Sequence, residues 1–468
     1  MKSRREFLSE TFASVSGFGV ASAFSALGGR FAYGETARSA LELRPAKDES
    51  TGLELIRLPE GFRYISYGWT KDPMSDGNPT PPAHDGMGVV SETDGVVTLV
   101  RNHEVSGDNG ALRLQDGKPY DSQAGGGCTT LRFDGGAGKW LDSSVCISGT
   151  SRNCAGGVTP WGTWLTAEET VLGIGSRDPY KGNAERSFKQ DHGWIFEVDP
   201  RGVKAPVPLK AMGRFVHEAV AIDRETGIVY ETEDRGSAGF YRFVPKVKGE
   251  LAAGGQLQIA EAVGASDLRG HLHAGVEFDI RWHNIAEPTL ANTPGLEKPD
   301  ELGVFKQGKK LGGTTFARLE GCWSGDGQIY FDATSGGGAK AGQIWQYDPS
   351  KEKLTLLFES PGKDVLNMPD NLCVNPNGGL ILCEDGDYGE DEYPQRIHLL
   401  SQEGRLLPLA VNDIQLSGEK GFRGDFRGRE WAGATFSPDG KWLFANIQTP
   451  GMTLAITGPW ESLTATAG

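Results

Sequence analysis

Carboxylates, imidazoles and one thiol recur in this 468-residue chain at both ends of a repeated hairpin-like unit. Six copies begin at His84-Asp85-Gly86, Cys154-Ala155-Gly156, His217-Glu218-Ala219, Leu319-Glu320-Gly321, Pro369-Asp370-Asn371 and Trp431-Ala432-Gly433. Each runs through a short apolar stretch to a turn such as Asp94-Gly95, Asp326-Gly327 or Asp439-Gly440. An apolar return strand then closes on Asn102-His103-Glu104, Glu168-Glu169, Glu231-Thr232-Glu233-Asp234, Asp332, Glu384-Asp385 or Asn446. In an antiparallel hairpin these two ends share one edge. Six such units around an axis would gather the polar ends into one pocket. Carboxylates suit calcium, a hard cation that takes about six to eight oxygen ligands. One thiolate among oxygens suits a transition metal. The pattern therefore predicts a mixed metal site.

The elements that must position these groups are short strands. The chain has 67 Gly and few long amphipathic stretches, which favours an all-β fold with tight turns. The turn glycines Gly95, Gly162, Gly227, Gly327, Gly378 and Gly440 leave room for a four-stranded unit per repeat. Outer hairpins follow at Thr129–Phe133 with Lys139–Ile147 and at Gly342–Tyr347 with Leu354–Phe358. The longest gap requires an insertion over about 264–312. Together these predict a six-bladed β-propeller as one domain over 41–462, with the central site on one face. A pair of β-sandwiches would not explain polar clusters recurring at one strand end.

Ser3-Arg4-Arg5-Glu6-Phe7-Leu8 and the Ala/Gly/Ser/Phe-rich stretch after it form a twin-arginine signal, placed at 1–34. It predicts a periplasmic or secreted protein whose partner in transit is the twin-arginine export machinery. The stretch is too short and too rich in small residues for a stable membrane anchor. A net charge of −15 argues against a nucleic-acid partner. Closure of a propeller by a single chain makes a monomer the default. In an exported protein, Cys128 with Cys146 and Cys373 with Cys383 are candidate cross-strand disulfides, with buried thiols as the alternative.

Long motifs resemble the PhoX family of alkaline phosphatases. They are Asn153–Trp164 followed by Glu168-Glu169, Arg101-Asn102-His103-Glu104, Gly213–Glu218, Arg318-Leu319-Glu320-Gly321, and Glu430-Trp431-Ala432-Gly433 through Gly451. The resemblance covers nearly the whole chain after the signal. It implies a six-bladed propeller whose centre holds ferric iron (Fe3+) and calcium (Ca2+) and cleaves small-molecule phosphate esters, with no protein nucleophile. Cys154 is then the expected iron ligand. Glu218 and Glu320 are expected as bridging or terminal ligands, or else as salt-bridged carboxylates. Asp370, Asn371 and Glu384 are expected to bind calcium with Glu104 and Glu169. His103 and His217 would orient neighbouring carboxylates. Arg318 is expected to clamp a phosphoryl oxygen, the alternative being a salt bridge to Glu320; Arg235 and Arg214 are secondary candidates. Ala167 departs from the Cys expected at that position in the family, and its side chain should point away from the ligand face. Two other readings compete. Calcium-dependent lactonase-like propellers use one divalent ion, and Pro369-Asp370-Asn371-Leu372 would fit there, but they need no thiolate. A non-catalytic propeller that only binds a ligand would hold no iron.

Overall fold

The computed structural model describes residues 41–108, 110–178, 184–386, 394–461 and 463, so the signal segment at 1–34 and acidic residues 387–392 lie outside the described residues. Six innermost strands stand side by side: His84–Thr93, Asn153–Val158, His217–Ile222, Leu319–Gly325, Pro369–Val374 and Trp431–Phe436. Each packs against the next and the last packs against the first, closing a ring. From each a sheet runs outward by antiparallel pairing, as in Val96–His103, Gly126–Asp134 and Lys139–Thr150 behind the first strand. This is a β-propeller. The sheets stack face to face, so their strands are apolar on both sides. Leu380–Glu384 (Leu-Ile-Leu-Cys-Glu) and Trp442–Ile447 are buried along their full length.

The ring is closed by both ends of the chain. Arg63–Tyr67, from the N-terminal side, pairs as the outermost strand with Met452–Thr457 near the C-terminus. The stretch expected as an insertion holds strand Glu277–Asn284, which pairs with Gly255–Ala262 on one side and Lys353–Glu359 on the other. Helix Gly303–Lys310 follows, seating Val304 and Phe305 against Leu251 and Ile259. No described helix is long and apolar enough to cross a membrane.

The cysteine pairs differ from the disulfide expectation: all six thiols are free and buried. Equal distance from a turn does not bring two residues opposite when a bulge intervenes. The register shifts between Cys128 and Thr129, so Cys128 faces Ile147. In the other hairpin the pairing is unbroken from Asn371 to Val374 and centred on Asn377, so Cys373 faces Ile381 while Cys383 faces Asn371. Cys154 lies in strand Asn153–Val158.

A bulge also marks the inner edge of every central hairpin. The register shifts between His84 and Met87, Asn153 and Gly156, His217 and Val220, Leu319 and Cys322, Pro369 and Asn371, and Ala432 and Thr435. Asp85, Cys154, Glu218, Glu320 and Asp370 each sit in or beside one. A bulge bends the strand and re-aims a side chain. Here it turns these five toward the axis.

Candidate metal centre

The bulged residues open into a cavity of about 590 Å³ at one end of the ring. Three levels of repeated positions surround it, and all of them line it except Asp85, Ala432, Met368 and Thr334. The first level is Asp85, Cys154, Glu218, Glu320 and Asp370, with Ala432 at the sixth position. Two residues earlier in each unit stand Ala83, Arg152, Val216, Arg318, Met368 and Glu430. The third level comes from the residue just past each second strand: Glu104, Glu169, Asp234, Thr334, Asp385 and Gln448. Backbone hydrogen bonds tie the second and third levels in all six units, from the amides of Glu104, Glu169, Asp234, Thr334, Asp385 and Gln448 to the carbonyls of Ala83, Arg152, Val216, Arg318, Met368 and Glu430. Four residues of the second level, Ala83, Arg152, Arg318 and Met368, have φ near +50°. Side chains other than Gly rarely adopt that conformation, and it concentrates at functional sites.

Two groups of donors converge. Ligand atoms of Cys154, Glu169 and Glu218 lie within 4.8 Å of one another, as do those of Asp85, Asp370 and Glu430. All six residues are buried. Burial first, and then repulsion between neighbouring carboxylates, drives the pKa of Asp85 and Glu218 well above the usual range. Burial is the main cause for Glu169, Glu320, Asp370 and the Cys154 thiol as well. Oxygens Asp85 Oδ2, Glu218 Oε1, Glu320 Oε2 and Asp370 Oδ2 are buried without a hydrogen-bond partner among the described residues. Buried carboxylates in that state call for a counter-charge.

Guanidinium groups stand above this acidic floor. Arg152 donates to Glu104 Oε1 through Nε at 3.0 Å and Nη2 at 2.8 Å, and Nη2 is 2.6 Å from Glu169. Arg318 donates to Asp234 through Nε at 2.9 Å and also pairs with Glu320. Its pKa is raised, chiefly by Glu320. Arg235 pairs with Glu301 at 2.8 Å. Glu301 brings the insertion to the rim of the cavity.

The cavity thus gathers Cys154, Glu218, Glu320, Glu104, Glu169, Asp370, Arg318 and Arg235 from the residues singled out in the sequence. Two expected calcium ligands lie elsewhere. Glu384 is the last residue of its strand and turns between sheets, where Arg396, His398 and the Asn367 amide hold its carboxylate. Its neighbour Asp385 takes the pocket position. Asn371 follows the bulge that exposes Asp370 and faces lower down the channel, beside Ala219 and Cys322. His103 bonds the Pro82 carbonyl and Thr129, and His217 sits 3.6 Å from Glu231; neither lines the cavity. Arg214 is held by the carbonyls of His192 and Val171. Ala167 is buried among Leu165, Ile195 and Phe215, away from the ligands. Sequence reasoning missed Asp85, Glu430, Asp234, Asp385 and Arg152. The recurring offset was the available signal: Asp85 shares its place with Cys154 and Glu218.

A family model described as alkaline phosphatase PhoX matches residues 41–145 and 141–451. Among solved structures the chain is similar to Pseudomonas fluorescens PhoX in complex with vanadate, a transition state analogue. That match has a TM-score of 0.63 and 19% identity, covering 90% of this chain and 98% of that one. It shows a shared fold. A gluconolactonase from Xanthomonas campestris matches with a TM-score of 0.44 and 12% identity over 90% of this chain and 99% of that one. That resemblance is too loose to argue from. No curated protein sequence matches the chain. The family match covers most of the chain and every residue that lines the cavity, so the chain belongs to the PhoX family of alkaline phosphatases and is a phosphoric ester hydrolase.

Proposed function

We propose that this phosphatase is exported and hydrolyses small phosphate esters at a mixed iron and calcium centre in the propeller cavity. One observation carries the reading: a buried thiol and two carboxylates converge beside a second convergence of three carboxylates. The donor sets fit the two metals. Cys154 with Glu169 and Glu218 would hold iron, for which a thiolate is a suitable ligand. Asp85, Asp370 and Glu430, with Glu320 beside Asp370, offer the all-oxygen set that calcium takes. The unpartnered buried oxygens of Asp85, Glu218, Glu320 and Asp370 are where cations would be needed.

When bound, such cations polarise a phosphoryl group and lower the pKa of an attacking water. The chain's own contribution is binding and orientation. Arg152 and Arg318 present guanidinium groups over the acidic floor, where planar donors match phosphoryl oxygens. Glu104 and Asp234 fix those groups in place, so they need little reorganisation as charge develops. Arg235, held by Glu301, stands beside them at the rim. Ser106, Ser151 and Thr170 line the cavity. Export rests on the Arg4-Arg5 signal.

Metal analysis of protein purified from the exported fraction, with hydrolysis of a chromogenic phosphomonoester, tests the reading. The expected result is iron plus several calcium ions, with iron and activity both lost in Cys154→Ala. One calcium, no iron and an unaffected C154A variant would sink the mixed centre. Replacing Arg4 and Arg5 with Lys should retain the protein in the cytoplasm; unchanged export would refute the signal.

A further inference from the structure

Arg101 lies in strand Val96–His103, on the sheet that flanks the closure of the ring, and is completely buried. Its Nη1 donates to the Thr453 hydroxyl at 2.8 Å, and that hydroxyl donates onward to Asn446 Oδ1 at 2.6 Å. Its Nε and Nη2 find no acceptor among the described residues. That edge is the fork with which an arginine grips an anion. Elsewhere in this protein it is engaged: Arg152 turns it to Glu104 and Arg318 turns it to Asp234. At Arg101 it faces no carboxylate.

The surroundings belong to the seam. The backbone of Gly68 covers the guanidinium, since a Cβ there would lie 3.2 Å from Nη1 and 3.7 Å from Nη2. Two residues on, Thr70 donates its amide to Gly451, two residues before Thr453. The hydroxyls of Thr70 and Thr80 are buried and without partners among the described residues. Burial pulls the Arg101 pKa down to about 9, so the group remains a cation at neutral pH. A lone buried charge is strongly unfavourable unless something compensates it.

We propose that the Nε–Nη2 edge of Arg101 binds a small monovalent anion of the halide class, locking the seam between the two ends of the chain. One cationic charge calls for one anionic charge. The site is separate from the catalytic cavity, to which neither Arg101 nor Thr453 contributes.

The test uses the wild-type holoenzyme. Thermal unfolding is followed in chloride, bromide and gluconate at equal ionic strength, and crystals grown in bromide are measured at the bromine absorption edge. The expected results are a saturable rise of the midpoint by a few degrees with either halide over gluconate, and an anomalous peak against the Nε–Nη2 edge of Arg101. The halide increment should vanish in Arg101→Lys, which keeps the charge and loses the fork. Should that variant fail to fold, the wild-type diffraction decides alone. Absence of a peak at Arg101 overturns the proposal, whatever the midpoint does.

Discussion

His192 offers a direct measure of how the cavity wall is held. Its imidazole is fully buried between two carboxylates, with Nδ1 2.6 Å from Glu168 Oε1 and Nε2 3.4 Å from Asp121 Oδ2. Burial pushes its pKa down, but Glu168 and Asp121 outweigh that and raise it to about 9, against an ordinary 6.5. The difference corresponds to about 3 kcal/mol of preference for the charged form in the folded state. Because the folded pKa is the higher one, this stability is fully present below pH 6.5 and is lost as pH rises through about 9. The clamp matters to the site. Glu168 also accepts from the amides of Ser151, Gly193 and Trp194, so it braces both Arg152 and Glu169 through their chain neighbours. Urea unfolding between about pH 6 and about pH 10 should show the wild type losing about 3 kcal/mol that His192→Gln does not lose. At the low end the variant should be the less stable by the same amount, and above about pH 9 the two should converge. Parallel curves for the two proteins would refute the reasoning.

Three further outcomes follow from the same geometry. A Cβ added at Gly86 would lie 2.5 Å from Ala155 Cα and 2.9 Å from the Cys154 carbonyl, so Gly86→Ala should cost about 1–3 kcal/mol in unfolding experiments and loosen metal retention on dialysis. Chelated protein should melt higher near pH 5 than near pH 8, because burial has raised the pKa values of Asp85, Glu169, Glu218, Glu320 and Asp370 and ionising them opposes the fold; metal-loaded protein should lack that slope. Asp385→Asn should change metal content or KM while leaving stability nearly intact, whereas Glu384→Gln should lower the melting temperature with metal content unchanged; the reverse pattern would show that the pocket position has been misassigned.

The architecture was legible because each hairpin carries its own signals: an apolar run, a turn and an apolar return. These fix strand direction and the shared polar edge, and the long gap asked only for extra structure without saying which elements would fill it. The register within each hairpin was not legible. A strand alternates its side chains, so one extra residue reverses every later assignment. A bulge placed Cys128 opposite Ile147, and a turn centred on Asn377 placed Cys373 opposite Ile381, where spacing had suggested partners.

The same effect separates the ligands that sequence reasoning found from those it missed. Glu218 and Glu320 hold the same place in successive units, each before a small residue, and the packing shows why that residue is small: a Cβ at Gly321 would meet the Leu372 amide at 2.9 Å. The rule extends to Asp85 before Gly86 and Cys154 before Ala155. At the other end of the hairpin the pocket position is the residue after the strand, not the strand's last acid. Its amide must reach back to a carbonyl two residues ahead of the bulged position. This condition selects Glu104 over His103, Glu169 over Glu168, Asp234 over Glu233 and Asp385 over Glu384. The bond forms at Val216 and Glu430 without a positive φ and at Ala83, Arg152, Arg318 and Met368 with one. Each of these last four takes a φ near +50° where its carbonyl meets that amide and its side chain leads into the bulge. The strain is tolerated because the hydrogen bond and the neighbouring strands over-determine it. The acidic pocket and the arginines above it are therefore products of one local device repeated around the ring. A change to the device in one unit should displace the ligands of that unit before it disturbs the rest.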